Sequence, residues 1–125
     1  PTGFMNVVLD GAGKHGWSDE CLHREFFSAE PVKTSGDDAF EVVVASTGAV
    51  IRVGARETVV SALAAAGIVV QTSCGEGICG TCITHVIEGV PDHRDLYLNP
   101  REQAKNDQFA PCCSRAKSAR LVLDL

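Results

Sequence analysis

The sequence predicts an α+β chain, a small mixed sheet laid over one main helix, and three observations predict it. Two β-branched segments near residue 40 read as a hairpin, a capped alanine-rich stretch reads as the helix, and an alternating apolar segment closes the chain. In Phe40-Glu41-Val42-Val43-Val44-Ala45 the alternation places Phe40, Val42 and Val44 on one face. Ser46-Thr47-Gly48 supplies a turn, and Ala49-Val50-Ile51-Arg52-Val53 a second, antiparallel strand. Thr58 stands where an N-cap should, ahead of Val59-Val60-Ser61-Ala62-Leu63-Ala64-Ala65-Ala66, and Gly67 follows as the stop. Val59, Leu63 and Ala66 share a helical face and should pack on the sheet.

Ile68-Val69-Val70 predicts a short strand that runs into a cysteine-rich loop. Beyond that loop, Ile83-Thr84-His85-Val86-Ile87-Glu88-Gly89 reads as a strand and Pro91-Asp92-His93-Arg94-Asp95 as a turn-rich connection. Asn99-Pro100-Arg101-Glu102-Gln103-Ala104 opens a helix with proline at its first position. Arg120-Leu121-Val122-Leu123-Asp124-Leu125 is the closing strand. This order is a β-grasp pattern, with a curled loop at one end of the sheet.

That loop carries the chemistry. Four residues separate Cys74 from Cys79 and two separate Cys79 from Cys82, and Cys112 follows at a distance. The spacing C-x₄-C-x₂-C…C is that of a plant-type [2Fe–2S] cluster, which moves one electron at a time. Three ligands must come from one segment curled around the cluster, and the fourth must close it from across the fold. Glycines at positions 75, 77 and 80 let the backbone turn its amides toward the sulfurs. Other readings stand beside this one. Cys79-Gly80-Thr81-Cys82 alone could hold zinc or act as a thioredoxin-like pair. Zinc sites usually show two close pairs, and the adjacent Cys112-Cys113 make a poor second one. Six cysteines also permit a disulfide framework, although nothing else suggests a small secreted scaffold.

The 125 residues have room for one domain with an appendage, and the formal charge of −5 argues against a nucleic-acid partner. No apolar run reaches the length of a membrane span and no signal peptide is visible, so a reducing cytoplasm is the expected location. Residues 1–35 and 36–125 read as two units, split at the polar linker Lys33-Thr34-Ser35-Gly36-Asp37-Asp38 after Pro31. The chain opens on Pro1 and its single methionine is Met5, which predicts a processed chain or, as the split favours, a piece of a longer polypeptide.

Ligand spacing and element order together resemble plant-type ferredoxins over residues 39–125. A closer resemblance is to the C-terminal ferredoxin domain of the phthalate dioxygenase reductase family. It is carried by Asp92-His93-Arg94-Asp95, by Cys112-Cys113-Ser114-Arg115-Ala116-Lys117-Ser118 and by Leu121-Val122-Leu123-Asp124-Leu125. Residues 1–35 resemble the end of that family's NAD-binding domain, with Pro1-Thr2-Gly3-Phe4-Met5 after its nucleotide motif and His23-Arg24-Glu25-Phe26-Phe27 as its closing strand. The resemblance implies a parent that takes hydride from NAD(P)H onto FMN, both bound upstream, and passes single electrons through the cluster to a Rieske-type oxygenase. A free-standing ferredoxin serving another oxygenase or a cytochrome P450 is the alternative, and a zinc-stabilised interaction module a third.

The family pattern puts the fourth ligand two positions before the Ser-Arg-Ala run, at Cys112. In an extended segment Cys113 would point the other way, as a small buried residue. His85 and His93 could suggest a Rieske centre, but four placed cysteines leave no vacancy; His85 should share a half-buried face with Ile83 and Ile87, and His93 should sit in a turn. Glu76 reads as a solvated loop carboxylate, Cys21 as a bystander, and Gly11-Ala12-Gly13 is too weak for a phosphate loop. Residues 4–12 could form a turn or two of helix, while Leu22–Phe26 lacks a partner strand. Phe4, Trp17, Phe26 and Phe27 should pack on the ferredoxin domain unless the segment is loosely ordered.

Overall fold

The computed structural model describes residues 2–29 and 36–125. Strands β1 (Phe40–Val44) and β2 (Val50–Val53) form the expected antiparallel hairpin, with Phe40 opposite Val53 and Val43 opposite Val50. The last strand, β7 (Arg120–Leu123), runs parallel to β1 and sets Leu121 beside Val42. Strand β3 (Thr84–Glu88) pairs antiparallel with β7, with a register slip between Val86 and Glu88, and β5 (Gln108–Phe109) adds the far edge. The sheet order β2-β1-β7-β3-β5 is mixed and places the two chain-distant strands β1 and β7 at its centre. A separate ladder joins β4 (Pro91–Asp92) to β6 (Arg115–Ala116).

Helix α2 (Val59–Ala65) covers one sheet face. Its start follows from Thr58, whose side chain accepts the Ser61 amide and satisfies one of the orphaned first-turn donors. Its end follows from Gly67 at φ 82: the Gly67 amide bonds the Ala64 carbonyl and the Ile68 amide the Leu63 carbonyl, a Schellman motif. That closure consumes the Ile68 amide, so Ile68–Val70 is irregular backbone rather than the expected strand. Its side chains still pack, since Ile68 and Val70 lie against the core. The buried helical face is Val59, Ala62 and Leu63. Ala66 is exposed instead, because it is already the C-cap.

Phe40, Val42, Val44, Val53, Leu63, Phe109, Leu121 and Leu123 close the core under α2. On β3 the inward residues are Thr84 and Val86, which leaves His85 exposed and Ile87 59% exposed. His85 therefore shares a face with Ile87, but that face is open. A single helix covers one side of the sheet only, and β3 spends its inward positions there. Helix α3 (Pro100–Gln103) is brief and held by a capping box between Asn99 and Glu102.

In the first region, α1 (Thr2–Lys14) is longer than the turn or two expected. It closes as α2 does: Gly16 takes φ 83, its amide bonds Gly13, and the Trp17 amide reaches Ala12. Leu22–Phe26 forms no strand, as its lack of a partner implied. Phe4, Trp17 and Phe27 are exposed rather than packed on the β-grasp body, and only Phe26 is half-buried. The expected Pro31 break and the Lys33–Ser35 part of the linker fall outside the described residues. No described helix is long and apolar enough to cross a membrane.

Candidate metal centre

The cysteine loop hangs between α2 and β3 and is tied down from two sides. Gly77 gives its carbonyl to the Leu96 amide at 3.0 Å, which fixes the loop to the segment after β4. From α2, the Val60 amide reaches the Pro111 carbonyl at 3.3 Å and holds the approach to Cys112 against the helix. Beneath lies a small apolar floor of Cys82, Ala110 and Cys112, backed by Val60, Val70 and Ile83.

Within the loop, the amides of Glu76 and Ile78 both donate to Cys74 Sγ at 3.4 Å. Gly77 at φ 74 permits this curl, and a Cβ there would run into the Cys113 sulfur and crowd Asp95. Cys79 Sγ lies 3.2 Å from Thr81 Oγ1. The Thr81 hydroxyl, with further bonds from Cys74, holds the Cys79 thiol down at about 6. Cys82 and Cys112 are both buried in this floor, and their side chains perturb each other. The bond to Cys112 and burial push the Cys82 thiol well above its ordinary range. Cys112 is pushed up to about 11, first by its bond with Cys113 and then by burial.

The sulfurs thus fall into an exposed pair, Cys74 with Cys79, and a buried pair, Cys82 with Cys112. Among the described residues no three such ligands converge on one point. Two pairs match what two irons ask of four thiolates, and the loop amides turned on sulfur suit a thiolate-bound cluster. The donors present fit a [2Fe–2S] group.

With that geometry in view, one match decides the family. Residues 42–117, more than half the chain, match the 2Fe-2S iron-sulfur cluster binding domain. The chain belongs to that family. Its cofactor is a [2Fe–2S] cluster, and the zinc-module reading falls with that finding. Along its whole length the chain is 60% identical to the vanillate O-demethylase oxidoreductase of Pseudomonas sp. (strain HR199 / DSM 7063), of which it spans only 39%. It is likewise similar to the solved phthalate dioxygenase reductase, at 35% identity and TM-score 0.78, covering all of this chain and 38% of that one. The ferredoxin domain of NdmD, solved with NdmA of Pseudomonas putida CBB5, is 34% identical with TM-score 0.66, over 70% of this chain and 99% of that one.

The extended segment expected around Cys113 does not form. Residues 111–113 form a turn rather than an extended segment, with the Cys113 and Ser114 amides both on the Ala110 carbonyl at 3.2 and 2.9 Å. The Cys113 thiol faces Gly77, 3.8 Å from both the Ala110 carbonyl and Ser114 Oγ. His93 lies beyond the β4 ladder with its side chain buried, 3.6 Å from Asp95 Oδ1. Glu76 is exposed, and Cys21 is exposed with Ser18 Oγ donating to its sulfur.

Sequence reasoning missed the scaffold behind the loop. Asp95 is buried, accepts the Leu98 amide at 2.7 Å and takes a longer bond from Ser114 Oγ at 3.4 Å. Arg115 is buried and donates to the carbonyls of Gly54, Glu57 and Asp38. Both belong to the short motifs that carried the resemblance, so the signal was present without its physical meaning. Tyr97, whose ring a Cβ on Gly80 would strike, left no sequence signal.

Proposed function

We propose that this chain is the ferredoxin end of an NAD(P)H-dependent, FMN-containing reductase that feeds single electrons to a Rieske-type oxygenase. Cys74, Cys79, Cys82 and Cys112 would hold the cluster, the first two from the exposed side and the last two from the buried side. The carrying observation is the division of the four thiols into an exposed and a buried pair around one curled loop. Cys112 would be the fourth ligand: it is buried in one apolar floor with Cys82, whereas the Cys113 thiol lies along Gly77 and Ser114. When bound, the cluster accepts and releases one electron at a time. The residues around it orient and tune. The Glu76 and Ile78 amides place positive dipole on the Cys74 sulfur, which favours the more negative reduced state, and the Thr81 hydroxyl stands 3.2 Å from the Cys79 sulfur, where it could donate to a thiolate. The exposed pair leaves a short approach for a partner, while the buried pair anchors the group to the fold.

Residues 1–35 serve as the end of the parent's nucleotide domain with its linker, and residues 36–125 as the ferredoxin domain. The likeness to vanillate O-demethylase oxidoreductase supports an acceptor that demethylates an aromatic methyl ether of the vanillate type. Anaerobic stopped-flow mixing of the dithionite-reduced chain with an oxidised vanillate-demethylating Rieske oxygenase tests this. Return of the oxidised chain's visible band in step with Rieske reduction is the expected result. Failure to exchange with that oxygenase, alongside fast exchange with a haem monooxygenase, would move the acceptor to the other class.

A further inference from the structure

Gly80 sits between Cys79 and Cys82 at φ 75, and the space its missing Cβ leaves is filled by the ring of Tyr97. That ring is 53% exposed, so burial alone does not account for an aromatic side chain there. Its inner half is spent on the cysteine loop. Its position is fixed from both flanks: the Leu96 amide is bonded to the Gly77 carbonyl, and the Leu98 amide to buried Asp95. Leu98 itself is 5% exposed and anchors the turn. On the outer side, Tyr97 lines an open cleft of about 300 Å³ with Ile78 and Leu96 and with Arg24, Glu25 and Phe26 of the first region.

We propose that Tyr97 is a positioning residue for electron transfer: its ring shields the Gly80 stretch of the cysteine loop from water and fixes the backbone that carries Cys79. The proposal rests on the cluster-binding reading above and adds a residue to it. The physical consequence has a sign. Solvent stabilises the more highly charged reduced state, so a shield that excludes water holds the potential down. The same ring keeps chelators from the Cys79 side. Removing it should raise the potential and hasten cluster loss, while loss of the hydroxyl alone should do neither.

The test uses the cluster-loaded 125-residue chain as wild type, Tyr97→Phe, Tyr97→Leu and Tyr97→Ala. Two quantities are read: the midpoint potential from a dye-mediated titration at the visible band, and the rate of bleaching by a chelator. Tyr97→Phe should match wild type in both. Tyr97→Leu should shift both partway and Tyr97→Ala further, with a higher potential and bleaching several-fold faster. If Tyr97→Ala cannot be loaded, Tyr97→Leu against Tyr97→Phe carries the comparison. A potential unchanged in the coloured Leu and Ala variants overturns the proposal, even if their thermal stability falls, as does Tyr97→Phe behaving like Tyr97→Leu. A wild-type chain that takes up no cluster overturns the underlying reading instead, and the two failures are told apart by colour.

Discussion

Arg94 grips Asp37 with both arms of its guanidinium, Nη1 2.9 Å from Oδ2 and Nη2 2.7 Å from Oδ1. The pair joins the chain just ahead of β1 to the irregular segment after β4. Arg94 Nε also donates to Asp92 Oδ2 at 2.8 Å, and Arg115 Nε lies 3.5 Å from the Asp37 carboxylate. Two arginines from two separate motifs therefore converge on one aspartate, behind the segment that pins the cysteine loop.

Breaking this clamp should cost stability. The Arg94 and Asp37 side chains are 20% and 13% exposed, so the penalty falls below that of a fully buried pair, at about 2 kcal/mol. Asp37→Ala should lose about that much in urea unfolding of the holo chain. Arg94→Lys should lose most of it too, because an ammonium cannot reproduce the two-armed geometry. A lysine variant with the wild-type midpoint would show that the fork carries nothing.

The clamp is also acid-sensitive. The hydrogen bond from Arg94, with the charges of Arg94 and Arg115, holds the Asp37 carboxyl below its ordinary range. A carboxylate depressed on folding contributes stability that is complete above its unfolded value of about 3.9 and lost as pH falls through the folded value. The stability gap between wild type and Asp37→Asn should therefore shrink from about pH 6 to about pH 3. A gap that widened in acid would contradict the assignment.

Ligand assignment is tested by alanine at each thiol. Cys74→Ala, Cys79→Ala, Cys82→Ala and Cys112→Ala should abolish or badly destabilise the visible chromophore. Cys113→Ala should keep it. A bleached Cys113→Ala beside a normal Cys112→Ala would move the fourth ligand by one position.

Much of this was legible in the sequence, for reasons that differ by residue. The β1 face, the Thr58 cap and the helix start at Pro100 were readable because local chemistry decides them. The [2Fe–2S] cofactor was readable because ligand spacing is a one-dimensional pattern. Ile68–Val70 was misread because a Schellman closure competes with strand pairing, and only the fold shows which takes the amide. The outlook of His85 depended on which sheet face the helix covers. Cys113 depended on a turn at Ala110–Cys113 that no periodicity marks. The Arg94–Asp37 clamp and the Tyr97–Gly80 contact join residues distant in sequence, which spacing cannot reveal.

Cluster binding should be coupled to order in the loop. Few backbone bonds hold residues 74–82 besides those to sulfur and the Gly77–Leu96 link, whereas α2 and its flanking strands rest on a packed core. Hydrogen exchange should show strong protection of residues 74–82 in the holo chain and little in the apo chain, with α2 protected in both. Equal protection of the loop in the two states would sink the coupling.

The account stands or falls on single-electron transfer through a thiolate-held cluster, and an anaerobic reductive titration measures it. Hydride transfer needs a nicotinamide site and a flavin, and the described residues form a mixed β-grasp sheet under α2, preceded by the separate helix α1, rather than a dinucleotide-binding fold. Dithionite should bleach the visible band with an endpoint of one electron per chain. NADH alone should leave the band untouched, and NADH with a trace of a separate flavoprotein reductase should bleach it. A two-electron endpoint, or rapid bleaching by NADH with no flavoprotein added, would contradict the account.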